Sequence, residues 1–129
     1  MEPSAPYLAE GDGMGSLSFM FKKDKLAIDE LKQNLDERKN NPVKMLKLFG
    51  SKARGDDKRG SDIDLFVLSE DEKKARDFLY DISEKILEKY NAVMSFIVYS
   101  SERYYEHRMR GSLFIRQIER EGSLIWKRK

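Results

Sequence analysis

Two carboxylates, Asp62 and Asp64, stand at the mouth of the apolar run Ile63–Leu68. Side chains two apart on a strand share a face, so a strand over this run sets the pair side by side and sends Ile63 the other way. Paired carboxylates repel one another unless a cation lies between them. Hard oxygen ligands suit magnesium, which takes one or two protein carboxylates and fills its shell from phosphates and water. Upstream, another apolar run ends at Gly50-Ser51, and ten residues, Lys52 to Ser61, separate the two motifs. A Gly lets a phosphate approach the backbone, and a Ser entering a short helix offers its hydroxyl and free N–H groups to an anion. Lys52 and Arg54 add positive charge suited to phosphate oxygens. Phosphate contacts beside a metal are what phosphoryl or nucleotidyl transfer requires.

Each of these residues has a plainer reading as well. Asp62 and Asp64 could be a solvated strand edge paired with Lys58 and Arg59, and Gly50-Ser51 an ordinary turn. Arg54 could pair with Asp56 or Asp57 as readily as with a phosphate. The spacing of the two motifs favours the site. His107, the single histidine, has no partner at metal-ligand spacing and reads as a surface residue.

Gly50-Ser51-Lys52-Ala53-Arg54-Gly55 followed by Ser61-Asp62-Ile63-Asp64-Leu65-Phe66-Val67 resembles the signature of the minimal nucleotidyltransferases of the DNA polymerase β superfamily. That signature is an apolar residue, Gly-Ser, about ten residues, then Asp-x-Asp on a strand. The resemblance implies an α/β (α+β) polymerase β-like palm, a small mixed sheet with helices packed on it. It also implies magnesium-dependent transfer of a nucleoside monophosphate, AMP from ATP being favoured, to a hydroxyl acceptor. Asp62 and Asp64 would be the catalytic metal ligands of a two-metal site, and Gly50, Ser51, Lys52 and Arg54 the nucleotide-binding residues. Members of this family are often paired with a helical HEPN-type protein as antitoxin and toxin, and a tyrosine of that partner is a possible acceptor. Family members usually add a third carboxylate from the next strand. Here the aligned position falls at or near Ser95, which is neither a good magnesium ligand nor a base. Three explanations stay open: two carboxylates suffice, another acid such as Glu102 reaches in, or the domain is a non-catalytic nucleotide-binding or protein-interaction module.

The flanking pattern supplies elements to carry these motifs. Residues 1–20, with Pro3, Pro6, Gly11, Gly13 and Gly15, read as a flexible tail, and 21–129 as a single nucleotidyltransferase domain. Ile28, Leu31 and Leu35 fall at helical spacing between Lys22 and Arg38, before Asn40-Asn41-Pro42. Val43–Phe49 is a strand leading to Gly50, although Lys44 and Lys47 interrupt its alternation. After the second strand, Ser69 and Glu72 read as a capping box for a helix to about Tyr90. Ala92–Tyr99 comes next as a third strand. Short helices begin at Ser100 or Ser101 and at Ser112, the second closing at Gly122, and Leu124–Trp126 is a final strand.

At 129 residues the chain is one domain in size. Its 25 basic and 23 acidic residues nearly cancel, to a net +2, which argues against a protein built to coat nucleic acid. Without cysteine it can form neither disulfides nor a thiolate metal site. No apolar run is long enough to span a membrane and no secretory leader is evident, so the cytoplasm is the expected location.

Overall fold

Asp24, Ile28, Leu31 and Leu35 recur at intervals of four, three and four residues along α1 (Lys22–Glu37), and all four are buried. In the computed structural model, which describes residues 21–55 and 61–129, this helix packs chiefly against α3 (Glu72–Tyr90). The expected tail, and Asp56, Asp57, Lys58 and Arg59, lie outside the described residues. α1 ends where Arg38 turns extended, and Asn41 secures the exit by donating to the Leu35 carbonyl at 2.9 Å and accepting from the Val43 N–H at 2.8 Å.

The remaining elements are β1 (Val43–Phe49), α2 (Ser51–Arg54), β2 (Ile63–Ser69), β3 (Met94–Ser100), α4 (Ser101–Met109), α5 (Leu113–Glu121) and β4 (Ser123–Lys127). The four strands form one mixed sheet in the order β3-β2-β1-β4. β1 runs antiparallel to both β2 and β4, whereas β2 and β3 are parallel and joined by the α3 crossover. Helices on both faces of a small mixed sheet give the α+β palm expected from the motif order.

Alternation along β2 divides the interior. Ile63, Leu65 and Val67 point into the larger core with Ile28, Leu31, Leu79, Ile82 and Ile86 from α1 and α3. Phe66 points to the opposite face, where Tyr99, Ile115 and Ile118 close a smaller, aromatic core beneath α4 and α5. Asp62 and Asp64 share the face of Phe66 by the same period of two. The uneven pattern of β1 also has a cause: its pairing shifts between Val43 and Met45 against β2 and between Leu46 and Lys47 against β4, so Lys44 and Lys47 need not alternate with the apolar positions.

Two local expectations change. Ser69 and Glu72 form no capping box, because Ser69 is the buried last residue of β2, paired with Val43 and Ser100. Asp71 caps α3 instead, accepting from the Lys74 N–H at 3.0 Å, and the Glu72 carboxylate accepts from the Ser100 N–H at 2.9 Å across to β3. His107 is half-buried rather than free on the surface, its ring edge-on to Tyr99 at 5.2 Å.

Candidate active site

Because β1 and β2 are antiparallel, the end of one abuts the start of the other, and Phe49 is paired with Asp64. The chain then turns at Gly50 with φ 76° and ψ −157°, a region that only glycine occupies readily. A Cβ on Gly50 would lie 2.5 Å from Asp64 Oδ2. The missing side chain is therefore the space in which the Asp64 carboxylate sits, and it brings the two halves of the motif into contact. α2 is one turn long: the Arg54 N–H donates to the Gly50 carbonyl at 3.2 Å, the Gly55 N–H donates to the Ser51 carbonyl, and Gly55 closes the turn in the left-handed region.

The electrostatics are set by this packing. Burial, and then the like charge of Asp62, push the Asp64 carboxyl above its usual range, while Lys52 and Arg54 pull it back. Asp62 and Arg54 are exposed and Ser51 and Asp64 half-buried, so solvent reaches all four. Lys52 is different. Its side chain is wholly enclosed and its ammonium lies 2.8 Å from Asp24 Oδ2, itself 2% exposed. The expected phosphate contact thus acts on Asp64 through its charge while its tip is engaged inside the protein. Ser61 Oγ, next to Asp62, is buried with no hydrogen-bond partner among the described residues.

β3 decides the position of the expected third carboxylate. Ser95 is paired directly with Asp64, exposed, on the strand at the open edge of the sheet. Glu102 does not reach in. It lies just past Ser100, which pairs with Ser69 at the far end of the parallel strands, itself about 17 Å along the sheet from Ser95 at ~3.3 Å per residue.

Comparison with known proteins agrees with this geometry. A family model described as a nucleotidyltransferase domain matches residues 28–125, which include β1 to β3, the start of β4, both motif halves and most of α1. The chain belongs to the nucleotidyltransferase domain family. A Methanocaldococcus jannaschii protein described as a candidate protein adenylyltransferase is 33% identical over 100 residues, covering 78% of this chain and 95% of that one. The fold also resembles a solved toxin–antitoxin structure with AMP-PNP, with a TM-score of 0.50 at 20% identity over 84% of this chain and 76% of the other.

As a nucleotidyltransferase, the chain has a donor set that suits a hard divalent cation. The Asp64 carboxylate is pressed against Gly50, and its charge is disfavoured by that of Asp62. Asp62 and Asp64 are the residues that would hold such a cation, and among the described residues no group of three or more His, Cys, Asp or Glu could hold a metal. A shell of this kind has to be completed by phosphate oxygens and water.

Asp24 is a residue of this site that neither motif half contains. Its signal in the sequence is that of a carboxylate on the apolar stripe of α1, four residues before Ile28 and in register with Leu31 and Leu35. A charge on a buried stripe requires a partner, and only the fold supplies Lys52. Tyr104 is half-buried against the smaller core. It packs on Phe66 at 5.9 Å and donates to Glu119 at 2.5 Å, whereas Tyr105 is 60% exposed.

Proposed function

We propose that this nucleotidyltransferase moves a nucleoside monophosphate, AMP from ATP in preference, to a hydroxyl acceptor in a magnesium-dependent reaction. The reading is supported by one observation: the Asp64 carboxylate lies in the space left by the absent Gly50 side chain, so the two motif halves meet. Asp62 and Asp64 hold the metal. Gly50 and Ser51 hold the β- and γ-phosphates, Arg54 assists from the exposed end of α2, and Lys52 contributes through its buried charge. The acceptor oxygen forms its bond to the α-phosphorus as the bond to pyrophosphate breaks in line, and the acceptor loses its proton. Magnesium on the two aspartates would supply neutralisation of phosphate charge.

A protein partner supplies the acceptor in this reading. The resemblance to minimal nucleotidyltransferases implies a helical HEPN-type protein, with a tyrosine as the modified hydroxyl, and the adenylyltransferase description of the archaeal relative agrees with AMP as the transferred group. The similar fold solved with AMP-PNP is that of a toxin–antitoxin pair. No helix among the described residues is long and apolar enough to cross a membrane, in keeping with a cytoplasmic role.

Calorimetric titration of ATP with and without magnesium is the direct test, set beside Asp62→Asn/Asp64→Asn. Magnesium-dependent binding that disappears in the double variant is expected, and so is a gain of one AMP mass unit on a copurified helical partner. Equal binding by the double variant would remove the assignment. Ser95 beside Asp64 favours a second reading, a nucleotide-binding module without catalysis, which predicts ATP binding without release of pyrophosphate.

A further inference from the structure

The enclosed pair of Asp24 and Lys52 ties two segments together that no strand pairing joins. Asp24 belongs to the first turn of α1, and Lys52 to the single turn of α2 just after the phosphate-binding Gly50. The ammonium and carboxylate lie 2.8 Å apart, with side-chain exposures of 0% and 2%. The Lys52 ammonium also lies 5.9 Å from the centre of the Phe21 ring, just before α1. A buried pair of this kind seldom adds stability over apolar packing of the same volume, yet loss of one member leaves an uncompensated charge. Its geometric consequence is specific. Among the described residues α2 shows two backbone hydrogen bonds, from Arg54 and Gly55, beside the packing of the buried Ala53, and one turn of helix does not persist on its own hydrogen bonds.

We propose that Asp24 is a positioning residue for nucleotide binding: by holding the Lys52 ammonium inside the protein it fixes α2, and with it Gly50, Ser51 and Arg54, in the geometry that receives the triphosphate. The inference rests on the nucleotide reading of that turn. It adds a residue from outside both motif halves and assigns Lys52 an anchoring task. Asp24 touches no substrate and acts only through Lys52.

Hydrogen exchange and Mg-ATP titration on the full chain test it, with Asp24→Asn as the variant, since an amide keeps an acceptor for the ammonium without the charge. The amides of Arg54 and Gly55 are expected to exchange at least tenfold faster than in the wild type, while those of β1 and β2 keep their protection. The dissociation constant for Mg-ATP is expected to rise at least tenfold. Asp24→Leu/Lys52→Met, which removes both charges at similar volume, provides a folded comparison if the single variant is too unstable. Fast exchange at Arg54 and Gly55 is expected there as well. Unchanged exchange in α2, or fast exchange with wild-type ATP affinity, would overturn the proposal and leave the pair a structural contact. A wild-type protein that binds no Mg-ATP would instead overturn the nucleotide reading and the functional part of this inference with it, and the exchange data would still decide whether Asp24 orders the turn.

Discussion

Gly50 and Asp64 occupy one another's space, so their substitutions have opposite effects on stability. Gly50→Ala places a methyl group against a carboxylate at 2.5 Å and forces a side chain into a glycine-only backbone region. We expect it to cost about 1–3 kcal/mol, read as a lower urea midpoint with unchanged slope, and to abolish magnesium-dependent ATP binding. Asp64→Asn removes a charge that burial and Asp62 make unfavourable. The raised carboxyl means that the folded chain holds its proton more tightly than the unfolded chain, so the charged form lowers stability above the usual carboxylate range. Without metal, Asp64→Asn should therefore melt higher than the wild type at neutral pH while losing transfer activity. A lower melting temperature in EDTA would refute this account of Asp64.

At the scale of elements, the register of β3 against β2 places Ser95 beside Asp64, an arrangement that invites a gain-of-function test. Ser95→Asp introduces a third carboxylate at an exposed position of an edge strand, where it disturbs little packing. We expect manganese or magnesium affinity to rise on the order of tenfold, since each added hard oxygen ligand tightens such a site, together with a lower melting temperature in EDTA from like-charge repulsion. Isothermal titration and thermal melts with and without metal would measure both. Unchanged metal affinity would show that the Ser95 side chain does not share the opening with Asp64.

Across the whole molecule, the ion pairs that join elements set the pH range of stability. Glu119 accepts from Tyr104 and pairs with Arg108 at 2.8 Å, linking α4 to α5, and the Tyr104 hydrogen bond holds its carboxyl below the usual range. Glu30 accepts from Lys89 at 2.8 Å, linking α1 to α3, and that bond likewise lowers its carboxyl. Carboxyls lowered in the fold contribute stability above their unfolded values and lose it as pH falls through their folded ones, so an acid limb is expected below about pH 4.5. The Tyr104 hydroxyl is pushed up to about 12 by burial and by Glu119. Its contribution is complete below pH 10 and is lost as pH rises through 12, since the unfolded chain gives up that proton first. Absorbance titration should show a late-titrating phenol that is missing in Tyr104→Phe.

Periodicity and spacing determined the helices and strands around the motifs, and the resemblance of the two motif halves pointed to the nucleotidyltransferase family and its small mixed sheet; all of this is legible because it is local in the chain. Gly50-Ser51 and Asp62-x-Asp64 could be read together because ten residues lie between them and the family keeps that interval. The tertiary structure decided whatever depends on separated segments. It set Ser69 in the sheet and gave the α3 cap to Asp71, since strand pairing consumed the serine. It placed Glu102 at the wrong end of the sheet, because in parallel strands the exit from β3 lies a full strand length away from the entry to β2. It joined Asp24 to Lys52 across 28 positions, enclosing a cation that composition alone would leave in water. Local pattern reports which face a side chain takes, and only packing reports what it meets there.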